Sequence, residues 1–427
     1  MPKAYLETYG CSANLADTEM MKGLLQRKGF ELVRTPEQAD ISIVNTCAVK
    51  DATEKRMVQR IKTLSAKPLI VAGCLPEARR GLAERLAPNA SVLGPDAIGS
   101  IGEMASSAIS GRRIEDFSRQ NKVLLPKVRA NPTIDIIEIS SGCLSSCTFC
   151  ATKLARKDIL SYRPAAIRQA VQLAVADGCK EIWLTSQDAS AYGADIGTDI
   201  ASLLESVCAV DGDFMVRLGM MNPLHFLKGK RLSELLETYR NAKVFKFLHL
   251  CVQSGSDTVL ADMQRGYAVS DFKRIVAAFR AEMPEITVWT DIIVGFPTET
   301  YTDFAQTMEL LEEVKPDMAN VSKYSARPGT KASVMAQLPV DAKQERSRRL
   351  SELVGKISLE KNVQWKGWKG TVLVDEYDKR LGVWTGRNYA YKKVAMRGNF
   401  RHGQKVEAEI VNAGIAHLEG RLLAASN

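Results

Sequence analysis

The sequence lacks any uninterrupted apolar run of about 18 residues, the length that a membrane-spanning helix requires. Its first residues, Met1 to Leu6, lack the apolar core and the small-residue cleavage site of a secretory signal. We therefore expect a cytoplasmic protein with no membrane partner, in a compartment where thiols stay reduced. There, the nine cysteines are expected to be metal ligands or buried thiols rather than a disulfide framework.

The composition and the charge distribution predict a globular protein with an anionic partner. Hydrophobic residues make up 45% and charged residues 25% of the 427 residues, and this length predicts two or three domains. Of the net charge of +9, the segment from Asp341 to Asn427 carries +7, with 17 Lys and Arg against 10 Asp and Glu. A basic end on a near-neutral body predicts an anionic partner there, although a solvated basic surface would give the same composition.

Residues 1–120 repeat a strand, a turn and a helix three times, which predicts an open parallel α/β domain. One cysteine stands at or just beyond the carboxyl end of each predicted strand: Cys11, Cys47 and Cys74. Right-handed crossovers keep these strand ends on one edge, where open α/β sheets bind ligands. A single buried thiol is usually part of a core, but three at equivalent positions predict a shared site.

Residues 130–340 alternate six predicted strands with helices. The strands are Ile134–Ile139, Glu181–Thr185, Phe214–Leu218, Phe247–Val252, Thr287–Val294 and Met318–Lys323. The helices include Pro164–Asp177 and Tyr301–Val314. Because six units are too few for a closed eight-stranded barrel, we expect an open partial (βα)6 barrel with its functional residues at the strand carboxyl ends.

The last two segments carry the basic excess. Residues 341–365 predict a linker helix with Arg346, Arg348 and Arg349, and residues 366–427 contain five short strands with Gly-rich turns, which predict a small β-barrel. Such barrels often present aromatic and cationic side chains to nucleic acid, although aromatics also fill their cores. The RNA-binding candidates are Arg346, Arg349, Tyr389, Tyr391, Lys392, Lys393 and Arg401, with Trp384 and Phe400 as further aromatic candidates.

Three cysteines, Cys143, Cys147 and Cys150, stand within eight positions just after the first strand of the central domain. Clustered thiolates select soft metals, chiefly zinc or iron–sulfur clusters. A structural zinc site remains an alternative, but it requires four ligands and the sequence offers no fourth Cys or His nearby. A four-iron cluster held by three cysteines instead leaves one iron open to a small chelating molecule.

The spacing C-x3-C-x2-C, with Phe149 before the last cysteine, resembles the signature of the radical S-adenosylmethionine superfamily. The resemblance implies that S-adenosylmethionine chelates the open iron and is cleaved to a 5′-deoxyadenosyl radical. With its upstream cysteines and its C-terminal barrel, the whole chain resembles the radical S-adenosylmethionine methylthiotransferases, which combine a cluster domain, a radical domain and a TRAM domain. In that family, Cys11, Cys47 and Cys74 would hold a second 4Fe-4S cluster.

Three further segments resemble parts of the family that lie near the radical cofactor: LTSQDASAYG after the second strand, LCVQSGSDTVLADMQRGY around the fourth and DIIVGFPTET at the end of the fifth. The resemblance implies as cofactor-binding residues Phe149, Ser186, Gln187, Gln253, Val294 and Gly295. Each of them could instead cap a helix or shape a turn. The remaining cysteines, Cys179, Cys208 and Cys251, are interpreted as ordinary buried thiols.

Two segments, VRLGMMNPLHF at 216–226 and CATKLAR at 150–156, look most like the family branch of archaea and eukaryotes that acts on N6-threonylcarbamoyladenosine beside the tRNA anticodon. The resemblance implies 2-methylthiolation of that nucleoside with two 4Fe-4S clusters, a cellular electron donor and a sulfur source. A prenylated tRNA adenosine or a ribosomal-protein aspartate are alternative targets. One departure is Lys157, where relatives usually have Gly, which affects the expected shape of this loop.

Two hypotheses from other classes stay open at this point. An electron-transfer protein with both clusters would not cleave S-adenosylmethionine, and a metal-stabilised RNA-binding module would contain zinc and no iron. For the preferred hypothesis, high salt should weaken tRNA binding and deletion of residues 366–427 should abolish it. No residue is assigned as a catalytic base.

Overall fold

A parallel sheet, an open barrel and a small closed barrel follow one another along the chain in the computed structural model, which describes residues 1–48 and 51–423. This architecture confirms the predicted fold class. Within those residues, none of the helices combines the length and the apolar character that crossing a bilayer would need.

The N-terminal sheet has six parallel strands in the order β2-β1-β3-β4-β5-β6. The strands are β1 (Lys3–Thr8), β2 (Glu31–Leu32), β3 (Ile41–Thr46), β4 (Leu69–Gly73), β5 (Ser91–Leu93) and β6 (Glu115–Asp116). The helices are α1 (Ser12–Arg27), α2 (Asp51–Leu64), α3 (Cys74–Ala78), α4 (Leu82–Leu86) and α5 (Ile101–Ile109). Strands β3 and β4 are buried along their whole length, as expected for a parallel sheet covered by helices on both faces.

The central domain contains two three-stranded parallel sheets, β7-β10-β11 and β12-β13-β14. Their strands are β7 (Ile134–Glu138), β10 (Glu181–Thr185), β11 (Met215–Leu218), β12 (Phe247–His249), β13 (Thr287–Val294) and β14 (Met318–Lys323). Two short strands, β8 (Ser140–Ser141) and β9 (Leu160–Ser161), pair antiparallel in a separate small sheet. The helices are α6 (Ala151–Arg156), α7 (Pro164–Ala176), α8 (Ile200–Cys208), α9 (Arg231–Tyr239), α10 (Asp257–Asp262), α11 (Val269–Glu282) and α12 (Tyr301–Val314). Parallel bridges from Val216 to Val244 and from Met221 to Leu250 join the two sheets into one curved array of six strands.

A long helix connects this array to the C-terminal barrel. The helix, α13 (Val340–Val363), packs Leu350 and Ile357 into the core of the central domain. The barrel closes in the order β15-β16-β17-β19-β18. Its strands are β15 (Lys369–Asp378), β16 (Val383–Arg387), β17 (Lys393–Met396), β18 (Lys405–Ala413) and β19 (Leu418–Leu422). Residues 424–427 of the predicted barrel domain lie outside the described residues.

The turn between β16 and β17 docks against the central domain and corrects two predictions. Tyr391 is 4% exposed, and its ring centroid lies 4.9 Å from that of Phe245 and 4.7 Å from that of Phe247. Lys392 is also buried, with Nζ 2.6 Å from Asp317 Oδ1. The prediction that Tyr391 and Lys392 contact RNA is therefore wrong, because both side chains are used to hold the barrel onto the central domain.

Candidate active site

The structure brings the first cysteine trio together at the carboxyl edge of the N-terminal sheet. Cys11 precedes α1, Cys47 follows β3, and Cys74 is the first residue of α3. Asn14 Oδ1 lies 3.9 Å from the sulfur of Cys11 and 3.8 Å from that of Cys74, and a Cβ on Gly10 would lie 3.0 Å from Cys47 Cβ. Burial raises the pKa of Cys74 to about 12, and the other two thiols add to the shift. A cation that binds here must displace the proton.

The second trio occupies the loop between β8 and α6. Ser145 N donates to Cys143 Sγ at 3.4 Å, and Cys150 N donates to the carbonyl oxygen of Cys147 at 3.2 Å. Burial raises the pKa of Cys143 to about 12, with further contributions from Asp188 and the other two thiols. Burial likewise raises the pKa of Cys150, against the backbone N–H groups of the first turn of α6. The structure therefore gathers these three predicted ligands as well.

A glycine with positive φ directly precedes three of the six cysteines. These glycines are Gly10 (φ 117°), Gly73 (φ 92°) and Gly142 (φ 87°). A Cβ on Gly73 would lie 2.3 Å from Asn45 Oδ1, and one on Gly142 would lie 2.2 Å from the carbonyl oxygen of Asp158. Only glycine fits these tight turns, which place the following thiol at the sheet edge. These Gly-Cys pairs are visible in the sequence, and the first of them marks the predicted turn after β1.

A buried arginine lies against one cysteine of each trio. Arg265 Nη1 donates to Cys147 Sγ at 3.0 Å, and Nη2 of the same guanidinium donates to the carbonyl oxygen of Cys251 at 3.1 Å. In the first trio, the charge of Arg156 lowers the pKa of Cys74 against the larger effect of burial. Isolated arginines carry no spacing signal, so the sequence did not identify either residue.

The same Arg156 belongs to a buried charge network that joins the N-terminal and central domains. Its Nη2 lies 2.8 Å from Asp17 Oδ2, and its Nη1 lies 2.6 Å from Glu138 Oε1. Lys122 Nζ lies 2.6 Å from both Asp17 Oδ1 and Glu138 Oε2. Burial favours a higher pKa for Asp96, but Lys122 and Arg156 hold it below its usual value. Because Arg156 ends the helix that follows Cys150, the network fixes the two cysteine-bearing edges relative to each other.

Three of the predicted cofactor-binding residues lie at the carboxyl ends of β12 and β13. Gln253 adopts φ 74°, and its backbone N–H donates to the carbonyl oxygen of Asp291 at 2.8 Å. Val294 is buried, and the backbone N–H of Gly295 donates to Glu299 Oε1 at 2.9 Å. A non-glycine residue with positive φ is strained and is enriched at ligand sites, which is consistent with the role predicted for Gln253.

The aromatic candidate, Phe149, joins the cysteine loop to the end of β13. It packs against the cluster that includes Phe296 and Tyr324. Phe296 belongs to the Gly-Phe-Pro turn after β13, and its ring centroid lies 5.5 Å from that of Tyr324. The loop with the second trio and the turn predicted to bind the cofactor therefore share one apolar contact.

The last two cofactor candidates follow β10. Gln187 Oε1 accepts from Gly142 N at 2.7 Å, so this side chain fixes the start of the cysteine loop. Ser186 Oγ is buried without a hydrogen-bond partner, and so are Asp188 Oδ2 and His225 Nε2, which lie 3.2 Å apart without a well-directed hydrogen bond. Buried polar atoms are normally paired, so these orphaned atoms at the strand ends fit a site that binds a polar ligand.

The remaining RNA-binding candidates divide between structural and exposed positions. Arg346 is paired with Glu299, and the Tyr389 hydroxyl with Glu285. Lys393 and Arg349 are half-buried, and Arg349 Nη1 donates to the Tyr301 hydroxyl at 2.9 Å. Arg401 is exposed. Phe400 packs in the core of the barrel and the partly buried Trp384 packs against that core, the alternative that the sequence had left open.

Comparisons with known proteins agree with this geometry. Residues 3–94 match the uncharacterized protein family UPF0004, and residues 137–311 match the Radical SAM superfamily. A Pyrococcus horikoshii protein named "Probable threonylcarbamoyladenosine tRNA methylthiotransferase" is 41% identical over 99% of this chain and 100% of its own length. The chain belongs to the threonylcarbamoyladenosine tRNA methylthiotransferase family. Its predicted enzyme class, a radical S-adenosylmethionine methylthiotransferase, is thereby confirmed.

The same family extends to eukaryotes. A Drosophila melanogaster threonylcarbamoyladenosine tRNA methylthiotransferase is 36% identical over 99% of this chain and 78% of its own length. Among solved structures, the radical S-adenosylmethionine methyltransferase TsrM from Kitasatospora setae, with cobalamin and a [4Fe-4S] cluster bound, has a TM-score of 0.58. It is 12% identical, with 78% of this chain and 77% of that chain covered, and the likeness shows the shared fold.

Proposed function

We propose that this methylthiotransferase converts N6-threonylcarbamoyladenosine, next to the anticodon of tRNA, into its 2-methylthio derivative. The observation that carries the proposal is the placement of both cysteine trios at strand edges that one buried charge network fixes relative to each other. Two sulfur-rich sites in fixed positions suit a reaction that needs a radical and a sulfur at the same substrate carbon. Full-length similarity to proteins named for this substrate supports its identity.

The residues of both trios fit 4Fe-4S clusters. Each trio supplies three thiols at a strand edge, which leaves one iron without a protein ligand and open to a small molecule. We assign Cys143, Cys147 and Cys150 to the cluster that binds S-adenosylmethionine, and the first trio to a second cluster. When bound, the S-adenosylmethionine cofactor supplies the 5′-deoxyadenosyl radical that removes hydrogen from the substrate.

Side chains of the protein itself position the cofactor in this proposal. Gln187 holds the cysteine loop through the N–H of Gly142, and Phe149 covers the loop on the side of the Gly-Phe-Pro turn. The orphaned oxygens of Ser186 and Asp188 provide hydrogen-bonding positions at the carboxyl end of β10. These groups are consistent with binding the polar methionine and ribose parts of the cofactor.

We assign tRNA binding to the basic last fifth of the chain, with residues 366–427 as a TRAM-like barrel and residues 341–365 as the basic linker helix. Arg401, on the barrel, is exposed and available to bind phosphate. Arg349, on the helix, is partly exposed. Phosphate contacts of this kind predict affinity that falls with salt and little sequence reading. A cytoplasmic location, an electron donor and a sulfur source complete the proposal.

Mass spectrometry of tRNA nucleosides tests the proposed reaction. Cells that lack the protein should lose the 2-methylthio mark from N6-threonylcarbamoyladenosine, and the wild-type chain should restore it. Cys74→Ser and Cys143→Ser should not restore the mark, whereas the matched control Cys208→Ser, at a buried thiol outside both trios, should do so. Loss of the mark from a different nucleoside, or no loss from any, would overturn the substrate assignment.

Metal analysis separates this proposal from the two other classes of function. Protein purified without oxygen should contain about eight iron and about eight sulfide per chain, as two four-iron clusters require. It should also cleave S-adenosylmethionine when reduced. Iron without cleavage would indicate an electron-transfer protein, and zinc without iron would indicate a metal-stabilised RNA-binding module.

Charge substitution on the barrel is a sharper test of RNA binding than the deletion of residues 366–427. Since Tyr391 and Lys392 hold the barrel onto the central domain, the deletion would also expose the buried rings of Phe245 and Phe247. Arg401→Glu should instead weaken tRNA binding and reduce its salt dependence while the fold stays intact. Arg274→Glu, at an exposed arginine on α11, is the matched control and should bind as the wild type does.

A further inference from the structure

A second group of possible metal ligands lies in the central domain, apart from both cysteine trios. His249, Cys251 and Asp291 place one ligand atom each so that all three atoms lie within 4.8 Å of one another. Asp291 Oδ2 lies 3.0 Å from Cys251 Sγ and 3.2 Å from His249 Nε2. The carboxylate therefore lies between a thiol and an imidazole. Together, the three side chains place one oxygen, one sulfur and one nitrogen atom close enough to bind the same metal ion.

The strand pattern explains why these side chains meet. In extended backbone, alternate residues point to the same face, so His249 and Cys251 share a face. The intervening Leu250 packs in the core that the outer helices cover, together with Ile292, which is next to Asp291 on β13. The three ligand residues therefore face the opposite side, the concave inner wall of the open barrel.

Two features of the group point to a bound cation. His249 is 6% exposed, and its Nε2 has no well-directed hydrogen-bond partner although Asp291 Oδ2 is only 3.2 Å away. Asn320 Nδ2 donates to Asp291 Oδ1 at 2.7 Å. The first feature is a buried imidazole nitrogen that contacts the carboxylate without a well-directed hydrogen bond, and the second is the kind of outer contact that orients a carboxylate ligand.

We propose that His249, Cys251 and Asp291 bind one divalent transition-metal ion of the zinc class. Zinc binds imidazole nitrogen, thiolate sulfur and carboxylate oxygen at about 2.0–2.3 Å, so neighbouring ligand atoms around it lie about 3–4 Å apart. The separations of 3.0 and 3.2 Å require little rearrangement to reach that geometry. Three protein ligands leave a fourth position, which faces the inside of the barrel and takes water or an oxygen of a molecule bound there.

This site is distinct from the neighbouring radical-cluster trio. Arg265 separates the two, because its Nη1 donates to Cys147 Sγ and its Nη2 donates to the carbonyl oxygen of Cys251. The sulfur of Cys251 contacts Asp291 instead. Cys251 therefore does not act as a fourth ligand of that trio.

Metal content of the full-length protein with both clusters reconstituted tests the site. After exposure to zinc and gel filtration, the wild type should retain one zinc per chain in addition to its iron. Cys251→Ser and Asp291→Asn should lose the zinc and keep the iron, and Cys208→Ser should keep both. Zinc retained equally by these two variants, or absent from the wild type, would overturn the proposal.

X-ray absorption at the zinc edge checks the ligand set independently of any variant's folding. The proposed site should show one sulfur neighbour at about 2.3 Å and otherwise nitrogen and oxygen at about 2.0–2.2 Å. Three sulfur neighbours would show zinc misplaced in a cysteine trio and would refute the assignment. A milder variant, Asn320→Ala, removes only the outer contact and should weaken zinc binding by about 10- to 100-fold. Unchanged affinity in that variant would count against the site.

Discussion

Arg265 and Cys147 form a partly buried charge-assisted contact, with guanidinium Nη1 3.0 Å from Sγ. A cation beside a cluster ligand favours the reduced, more negative cluster. Arg265→Met should therefore make the reduction potential of the radical cluster more negative by roughly 50 mV, about a tenfold change in the one-electron equilibrium constant. A redox titration followed by electron paramagnetic resonance measures this shift.

That titration requires a protein variant in which only the radical cluster contributes to the electron paramagnetic resonance signal. Substitution of the first trio by alanine leaves the radical cluster as the sole signal. Arg274→Met is the matched control, since Arg274 is an exposed arginine on α11. It should leave the potential unchanged. An equal potential for Arg265→Met and the control would show that this contact does not influence the cluster.

The network around Arg156 should be essential for stability. Arg156→Met leaves Asp17 and Glu138 with Lys122 as their remaining buried partner. Removing one member of a buried ion pair costs about 3–5 kcal/mol, because a charge stays buried without compensation. Urea unfolding should show a loss of this size. The exposed Arg348, paired with Glu352 on the surface, provides the control Arg348→Met, whose effect should stay within about 0.5 kcal/mol.

Local pattern was sufficient to predict most of the fold and the position of the cysteines. Strands β10, β13 and β14 have the predicted bounds, and β13 in particular is a run rich in Val, Ile and Thr, residue types that favour strands. The first trio could be predicted because the carboxyl ends of parallel strands meet at one edge, and the second because its three cysteines stand within eight positions of one loop. Strands β2 and β6 were not predicted, because two residues are too few to show a period.

What the sequence could not show depends on tertiary contacts. Asp17, Lys122 and Arg156 have the composition of surface residues, and only the fold buries them against one another. Tyr391 and Lys392 illustrate the opposite error. A basic, aromatic turn resembles an RNA-binding surface, but the docking of the barrel places it inside the protein. Local residue types do not determine which face of a small domain is covered.

Glu181, beneath the docked barrel, should make stability depend on pH. Burial and the carboxylate of Asp375 raise the pKa of Glu181 to about 7, although Arg387 opposes the shift. A carboxyl whose pKa is higher in the folded than in the unfolded protein disfavours folding once it ionises. The folded protein is therefore most stable at a pH where this carboxyl is protonated in both the folded and the unfolded state. Its contribution is lost as pH rises from about 4.3, the unfolded value, to about 7. The free energy of unfolding should therefore fall by up to about 1.4 kcal/mol per pH unit in this window.

Glu181→Gln should remove this dependence while it keeps an oxygen for the indole N–H of Trp183, now 2.5 Å from Glu181 Oε1. Urea unfolding at pH 5.5 and pH 7.5 should show the variant gaining about 2 kcal/mol relative to the wild type over this interval. The control Glu309→Gln, at an exposed position on α12, should have the same free energy of unfolding as the wild type at both pH values. If the difference in unfolding free energy between Glu181→Gln and the wild type does not increase from pH 5.5 to pH 7.5, the raised pKa of Glu181 is contradicted.

Lys157 is held in a backbone conformation that suits glycine. It has φ 59° and ψ −146°, and its carbonyl oxygen accepts from the N–H of Cys143 at 3.2 Å. Glycine, which the family resemblance leads us to expect at this position, would adopt this conformation without strain. Such a conformation costs a side chain about 1–3 kcal/mol, so Lys157→Gly should raise the free energy of unfolding by about 1 kcal/mol after the greater freedom of the unfolded glycine is subtracted.

The comparison with Lys157→Ala separates strain from charge, because alanine keeps the Cβ but loses the ammonium group that lies 3.1 Å from Glu77 Oε1. Alanine should show no gain, since its Cβ retains the unfavourable conformation and the contact with Glu77 contributes at most about 1 kcal/mol. Urea unfolding of the three proteins measures the difference. A glycine variant no more stable than the alanine variant would mean that the loop relaxes away from positive φ and that the cysteine loop does not need glycine at this position.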